Sequence, residues 1–313
     1  LLSLVLFSLV IGGWLTVWQL MLCTFLMGTG QAFYMTARQV YVYDIVGSTG
    51  AINGIALISL AQRFGEIIGA LITGWLIAWQ GPGMAFLVMS VTYGAGALVL
   101  YGLRQVGAAA PDFKEPLLEN LRSYFRALRE NRVMLSLIIS TSAAEVLGFS
   151  HQVVLPILAK EVLNVGAVGL GILTAFRSVG GALGVVLVAA LDVVRRRGMF
   201  LLVVLVLFGL GQVLLAHSPS FWVAVVFVTF ISVMASITDI LHHTLLQLSV
   251  SNEQRGRAMG SWIVGTGLAP LGQLEVGYLA EATNARVALL VNGVTLAALA
   301  LVMGLLLPRL RRL

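Results

Sequence analysis

Arg63, Glu66, Glu145, Arg177 and Asp239 stand out because each interrupts a long apolar stretch of the sequence. An ionisable group in such a setting is expensive, so it has a partner or a task, such as binding a charged solute or taking up and releasing a proton. Glu145 lies 13 residues past Arg132, where its stretch begins, and no basic residue is within one helical turn of it. It is read as a proton-coupling or substrate-binding carboxylate, or else as a neutral side chain hydrogen-bonded to a neighbouring helix. Arg63 and Glu66 share a helical face, and make either a mutually neutralising pair or a charged site. Arg177 is a substrate or coupling cation, or an Arg bonded to backbone carbonyls. Asp239, with His242 and His243 following, forms a titratable face: a proton relay, since free imidazole titrates near ~6.5, or a solvated patch near the end of its stretch. Other chemistry is not signalled. The sequence has no HExxH, GxSxG or P-loop pattern, and the lone Cys23 belongs to no Cys/His cluster, so no enzyme activity, cofactor or metal is implied.

The elements that must carry these charges are membrane spans. Apolar residues make up 59% of the chain and charged residues 10%, against about 25% charged in a soluble domain, and the mean hydropathy is +0.99. Spans are expected at 1–13, 17–38, 52–78, 83–103, 132–158, 168–190, 198–216, 221–248, 258–280 and 286–307. The first is short: 13 residues reach only ~20 Å at ~1.5 Å per residue, less than the ~30 Å hydrocarbon core. The expectation is a chain cut inside a helix, with its N-terminal part missing.

Lys and Arg counted loop by loop set the orientation. Fourteen of the nineteen fall on one side, in the loop from Arg104 to Arg132, in Arg195 to Arg197, in Arg255 and Arg257, and in Arg309, Arg311 and Arg312. That side, with the C-terminus, is expected to be cytoplasmic. Basic residues placed this way account for the pI near 9.9 without nucleic acid as a partner. Trp14, Trp18, Trp75, Trp79, Trp222 and Tyr278 fall near span ends as an interfacial aromatic belt. Gly28/Gly30, Gly180/Gly184 and Gly265/Gly267 have spacings that let helices approach closely. The one long polar loop divides the chain into residues 1–103, a linker 104–131, and residues 132–313. A repeat supports the division: Gly69-Ala-Leu-Ile-Thr-Gly74-Trp75-Leu76 is similar to Gly272-Gln-Leu-Glu-Val-Gly277-Tyr278-Leu279. Parallel six-helix halves are one way that transporters are built.

Particular motifs resemble the major facilitator superfamily, in its bacterial drug and siderophore exporter branch of macrolide-efflux and enterobactin-exporter-like proteins. Thr244-Leu-Leu-Gln247 through Arg255-Gly256-Arg257-Ala-Met259 looks like that branch's turn between helices 10 and 11. Gly180-Gly181-Ala-Leu-Gly184 followed by Asp192 and Arg195-Arg196-Arg197-Gly198 resembles the superfamily's loop between helices 8 and 9. Ala37-Arg38, Asp44 and Asn53 resemble the turn between helices 4 and 5, with Thr36 where Pro is usual. Where proton-coupled antiporters carry Gly-Pro in the fifth helix, this chain has Gly65-Glu66-Ile-Ile-Gly69.

The resemblance implies an all-α membrane protein of major facilitator fold, with about ten transmembrane helices present, helices 3 to 12 of twelve. It implies a secondary transporter that exports small amphipathic compounds by rocking two halves about a midplane site, with protons as the coupling ion. Glu145, Arg63, Glu66, Arg177 and Asp239 are the substrate and coupling candidates. Asp192, Arg195, Arg196, Arg197, Arg255 and Arg257 are the gating candidates, closing the cytoplasmic side. A monomer in the bacterial inner membrane is expected. A nutrient symporter or lysophospholipid flippase of the same superfamily is the alternative, and a piece lacking two helices is not expected to transport.

Overall fold

The computed structural model describes residues 1–102, 132–190, 196–249 and 265–311. All regular structure among them is helical. The chain forms two compact units, Leu1–Phe113 and Lys114–Leu313.

In the first unit, α1 (Leu2–Ile11) ends at a glycine pair. Gly13 has φ +69, a left-handed conformation that a side chain disfavours. α2 runs from Val17 to Gln80 and starts with a capping box: Thr16 Oγ1 accepts from Gln19 N, and Gln19 Oε1 accepts from Thr16 N at 2.9 Å. It ends at Gly81, φ +83, and Pro82 then opens α3 (Pro82–Tyr101). Pro suits that position because its missing N–H has no helical acceptor.

The helical backbone of α2 is continuous through 39–51, where the sequence suggests a break between two spans. That stretch holds Gly47 and Gly50 but no proline to remove a donor. A straight helix would set Arg38 and Gln62 ~36 Å apart at ~1.5 Å per residue. Instead Arg38 Nη2 donates to Gln62 Oε1 at 3.0 Å. The helix therefore bends back on itself between them, and two antiparallel arms survive within one element.

In the second unit, α4 spans Arg132–Val162, followed by α5 (Gly166–Ala190), α6 (Arg197–Ala216), α7 (Phe221–Leu248), α8 (Ala269–Ala282), α9 (Ala285–Leu306) and the short α10 (Pro308–Arg311). Asn284 caps α9, its Oδ1 accepting from Val287 N at 3.0 Å. The ninth expected span, 258–280, is helical over Ala269–Ala282, after a turn at Gly267 and Leu268 set by Pro270 near the helix start. Among the described residues α3, α4, α5, α6, α7 and α9 are long and apolar enough to cross a bilayer.

Glycines set the closest approaches. A Cβ on Gly184 of α5 would lie 2.7 Å from Val233 O and 2.8 Å from Ser236 Cβ of α7, and Gly180 meets Thr229 and Ser232 in the same way. Residue numbers rise together along this contact, so α5 and α7 run parallel. Gly28 and Gly30 have nothing comparably near. The apolar core of the second unit centres on side chains such as Phe208, Leu137, Leu158, Leu173 and Leu289, all fully buried. All six predicted belt aromatics are exposed.

Candidate functional site

The site in the second unit grows from an irregularity in α4. Its regular helix stops at Ala143, a π-helical turn follows over Ala144–Gly148, and α-helix resumes at His151. Phe149 N accordingly bonds Ala144 O, five residues back, at 2.8 Å. Pro156 lies inside that resumed helix, and a second π turn follows it over Leu158–Val162. Backbone carbonyls at such a break need donors, since a bilayer core supplies no water. Gln212 of α6 donates through Nε2 to Leu147 O at 3.1 Å. His151 Nδ1 lies 2.6 Å from Gly148 O, which fixes the ring proton on Nδ1. Gly148 is required because a Cβ there would sit 2.7 Å from the Phe208 ring. Asn292 of α9 completes the cluster, donating through Nδ2 to Ser150 Oγ and to Glu275 Oε2, each at 3.0 Å.

Glu145 stands on the π turn, half-buried. Among the described residues it makes no hydrogen bond or ion pair, and the charged group it interacts with is another carboxylate, Asp239 of α7. The bond between Ser140 Oγ and His242 Nε2, 2.8 Å and buried, pins α4 to α7 beside them. The expected titratable face is thereby split. His242 is buried within the unit, whereas His243 is exposed with Gln247 Nε2 3.3 Å from its Nδ1. Arg177 of α5 donates through Nη1 to Gln152 Oε1 at 2.8 Å.

In the first unit Arg63 Nη1 and Glu66 Oε2 form the expected pair at 3.4 Å, with both side chains well exposed, 41% and 46%. Arg38 also lies over the Tyr34 ring, 5.5 Å from its centroid. Arg38, Tyr34, Gln31, Gln62, Thr92 and Tyr93 contribute to the lining of a cavity of about 810 Å³.

Of the gating candidates, Asp192, Arg195, Arg255 and Arg257 lie outside the described residues, as does the Arg104 to Arg132 loop except for Arg132 at its end. Arg196 is exposed and directly precedes α6, which Arg197 begins. Sequence reasoning passed over His151, Gln212, Ser150 and Asn292. Their signal was available: Gln212 and Asn292 are single amides inside otherwise apolar spans, and polar groups there find partners across helices.

A family model described as transmembrane secretion effector matches residues 1–312. No curated protein matches the chain.

Proposed function

The chain belongs to the transmembrane secretion effector family of the major facilitator superfamily, a family of transporters rather than enzymes, and from that premise we propose a proton-coupled exporter of small amphipathic compounds. As a member it is an integral multi-pass membrane protein that moves a small-molecule substrate across a bilayer. The observation carrying the finer reading is Glu145: a carboxylate in the middle of a membrane span, on an irregular turn, with no ion pair among the described residues and an electrostatic interaction with Asp239. Export against a gradient needs a group that binds a proton from one side and releases it to the other, and a carboxylate with a second acid near it and no ion pair among the described residues meets that need. Arg63 and Glu66 form the balancing pair in residues 1–103, and Arg177 joins the solute-facing polar set in residues 132–313. Asp192, with Arg195 to Arg197, Arg255 and Arg257, bridges helices to close the cytoplasmic side. Drug-like or siderophore-like solutes are the substrate class, and a monomer in the bacterial inner membrane is the working unit.

The test is an imposed gradient. Full-length protein in liposomes that are acidic inside is expected to accumulate ethidium, and collapse of the gradient by nigericin should abolish the accumulation. Uptake that is equal with and without the gradient overturns proton coupling.

Orientation follows from the basic loops. With Cys23 replaced, Arg196→Cys in intact cells should resist a membrane-impermeant maleimide until the cells are opened. Labelling from outside would place the C-terminus on the other face.

A further inference from the structure

We propose that the second unit binds solutes carrying two opposite charges about 10 Å apart, the cationic end against Glu145 and Asp239 and the anionic end against Arg177, a spacing of seven residues at ~1.5 Å each along α4 from Glu145 to Gln152. This names the substrate class of the site above, and rests on the transport reading.

Two separate contacts set the poles. Ser140 bonds His242, and α4 runs antiparallel to α7. Five residues further along α4, Glu145 thus comes level with the turn of α7 that holds Asp239, and the two carboxylates interact through space. At the other end Arg177 reaches across from α5 to Gln152 of α4. The parallel packing of α5 on α7 gives the same order of the poles independently. Gly180 meets Thr229 and Ser232, and Gly184 meets Val233 and Ser236. Arg177 therefore lies before the start of that shared stretch and Asp239 beyond its end.

None of these four groups belongs to the buried core: Gln152 is exposed, while Glu145, Arg177 and Asp239 are half-buried. A solute at the unit's surface can reach them. Burying one unmatched charge at bilayer depth is costly, and a singly charged solute can answer only one pole. A solute with both charges answers each and adds no net charge to the site.

Three permanently charged eight-carbon probes separate the possibilities, because their charge does not change with pH: octyltrimethylammonium, octanesulfonate, and 8-(trimethylammonio)octane-1-sulfonate. Each is tested as an inhibitor of gradient-driven ethidium accumulation by full-length protein in liposomes. The doubly charged probe is expected to inhibit at a concentration at least tenfold below either of the others. Arg177→Gln should bring its ratio to the ammonium probe close to one, and Arg177→Lys should restore most of the preference, which separates charge recognition from a folding defect. Equal inhibition by the doubly charged and ammonium probes in the wild type overturns the proposal, as does a preference that survives Arg177→Gln. If ethidium accumulates under the gradient yet the preference is absent, only the two-pole site is lost. If ethidium does not accumulate, the transport reading itself fails.

Discussion

Glu145→Gln is expected to abolish accumulation of substrate against its gradient, reducing the steady-state level to that reached with no proton gradient, while downhill exchange persists, with the cationic end of the substrate held more weakly by Asp239 alone. Gln keeps the shape and hydrogen-bonding capacity of the side chain but cannot cycle a proton. Glu145 is the residue to change because it makes no ion pair or hydrogen bond among the described residues. Glu66, the other carboxylate set in mid-span, stands 3.4 Å from Arg63. A proton bound at Glu66 would break an ion pair and leave the Arg without its counter-charge, so Glu66→Gln should leave coupling in place and act on stability. That second effect is modest, on the order of 1 kcal/mol or less, because both side chains are well exposed. A pH-jump transport assay in proteoliposomes decides the matter. If Glu145→Gln still concentrates substrate at the wild-type rate, Glu145 does not carry the proton.

The helices were legible because hydrocarbon imposes a simple rule: about twenty apolar residues in helical form, with polar residues at the ends. That rule places α3, α5, α6, α7 and α9 within a few residues of expectation. It fails where a helix is irregular. In α4 the break at Gly148 depends on Phe208 of α6 filling the space a side chain would take, and on Gln212 answering the carbonyls. Both are partners from distant sequence, and no local pattern announces them. The course of α2 was hidden for a related reason. Glycines at 47 and 50 mark a turn in the sequence, yet helical hydrogen bonding persists through it, and only the contact between Arg38 and Gln62 reveals the reversal.

The same division holds for the charges. That Glu145, Asp239 and Arg177 needed an account followed from hydropathy alone. That Glu145 comes within electrostatic reach of Asp239, and that His242 is buried against Ser140 and not solvated, depends on the register of α4 against α7, which two helices from different parts of the chain establish only by packing.

That packing makes the π turn a point of high sensitivity, and Gly272→Val should test it most severely. Gly272 lies on α8 where the helix meets α4, and a Cβ added there would fall 2.5 Å from Val146 Cα and 2.7 Å from Val146 C. The obstacle is backbone, so no rotamer change relieves it, and this backbone is held in place on its other side by Gln212 and His151. Overpacking of a core ordinarily costs about 1–3 kcal/mol, and a clash with pinned backbone belongs at or beyond the upper end. Gly277, five residues on in the same helix, has nothing within 4 Å of its Cβ position. Gly277→Val should therefore remain within about 0.5 kcal/mol of wild type, as surface substitutions usually do, even though the change in chemistry and helix propensity is identical. Thermal unfolding of both variants in detergent, followed by tryptophan fluorescence, makes the comparison. Gly272→Val is expected to melt several degrees lower or to fail to accumulate, and equal melting of the two would mean that α8 does not seat against the π turn of α4.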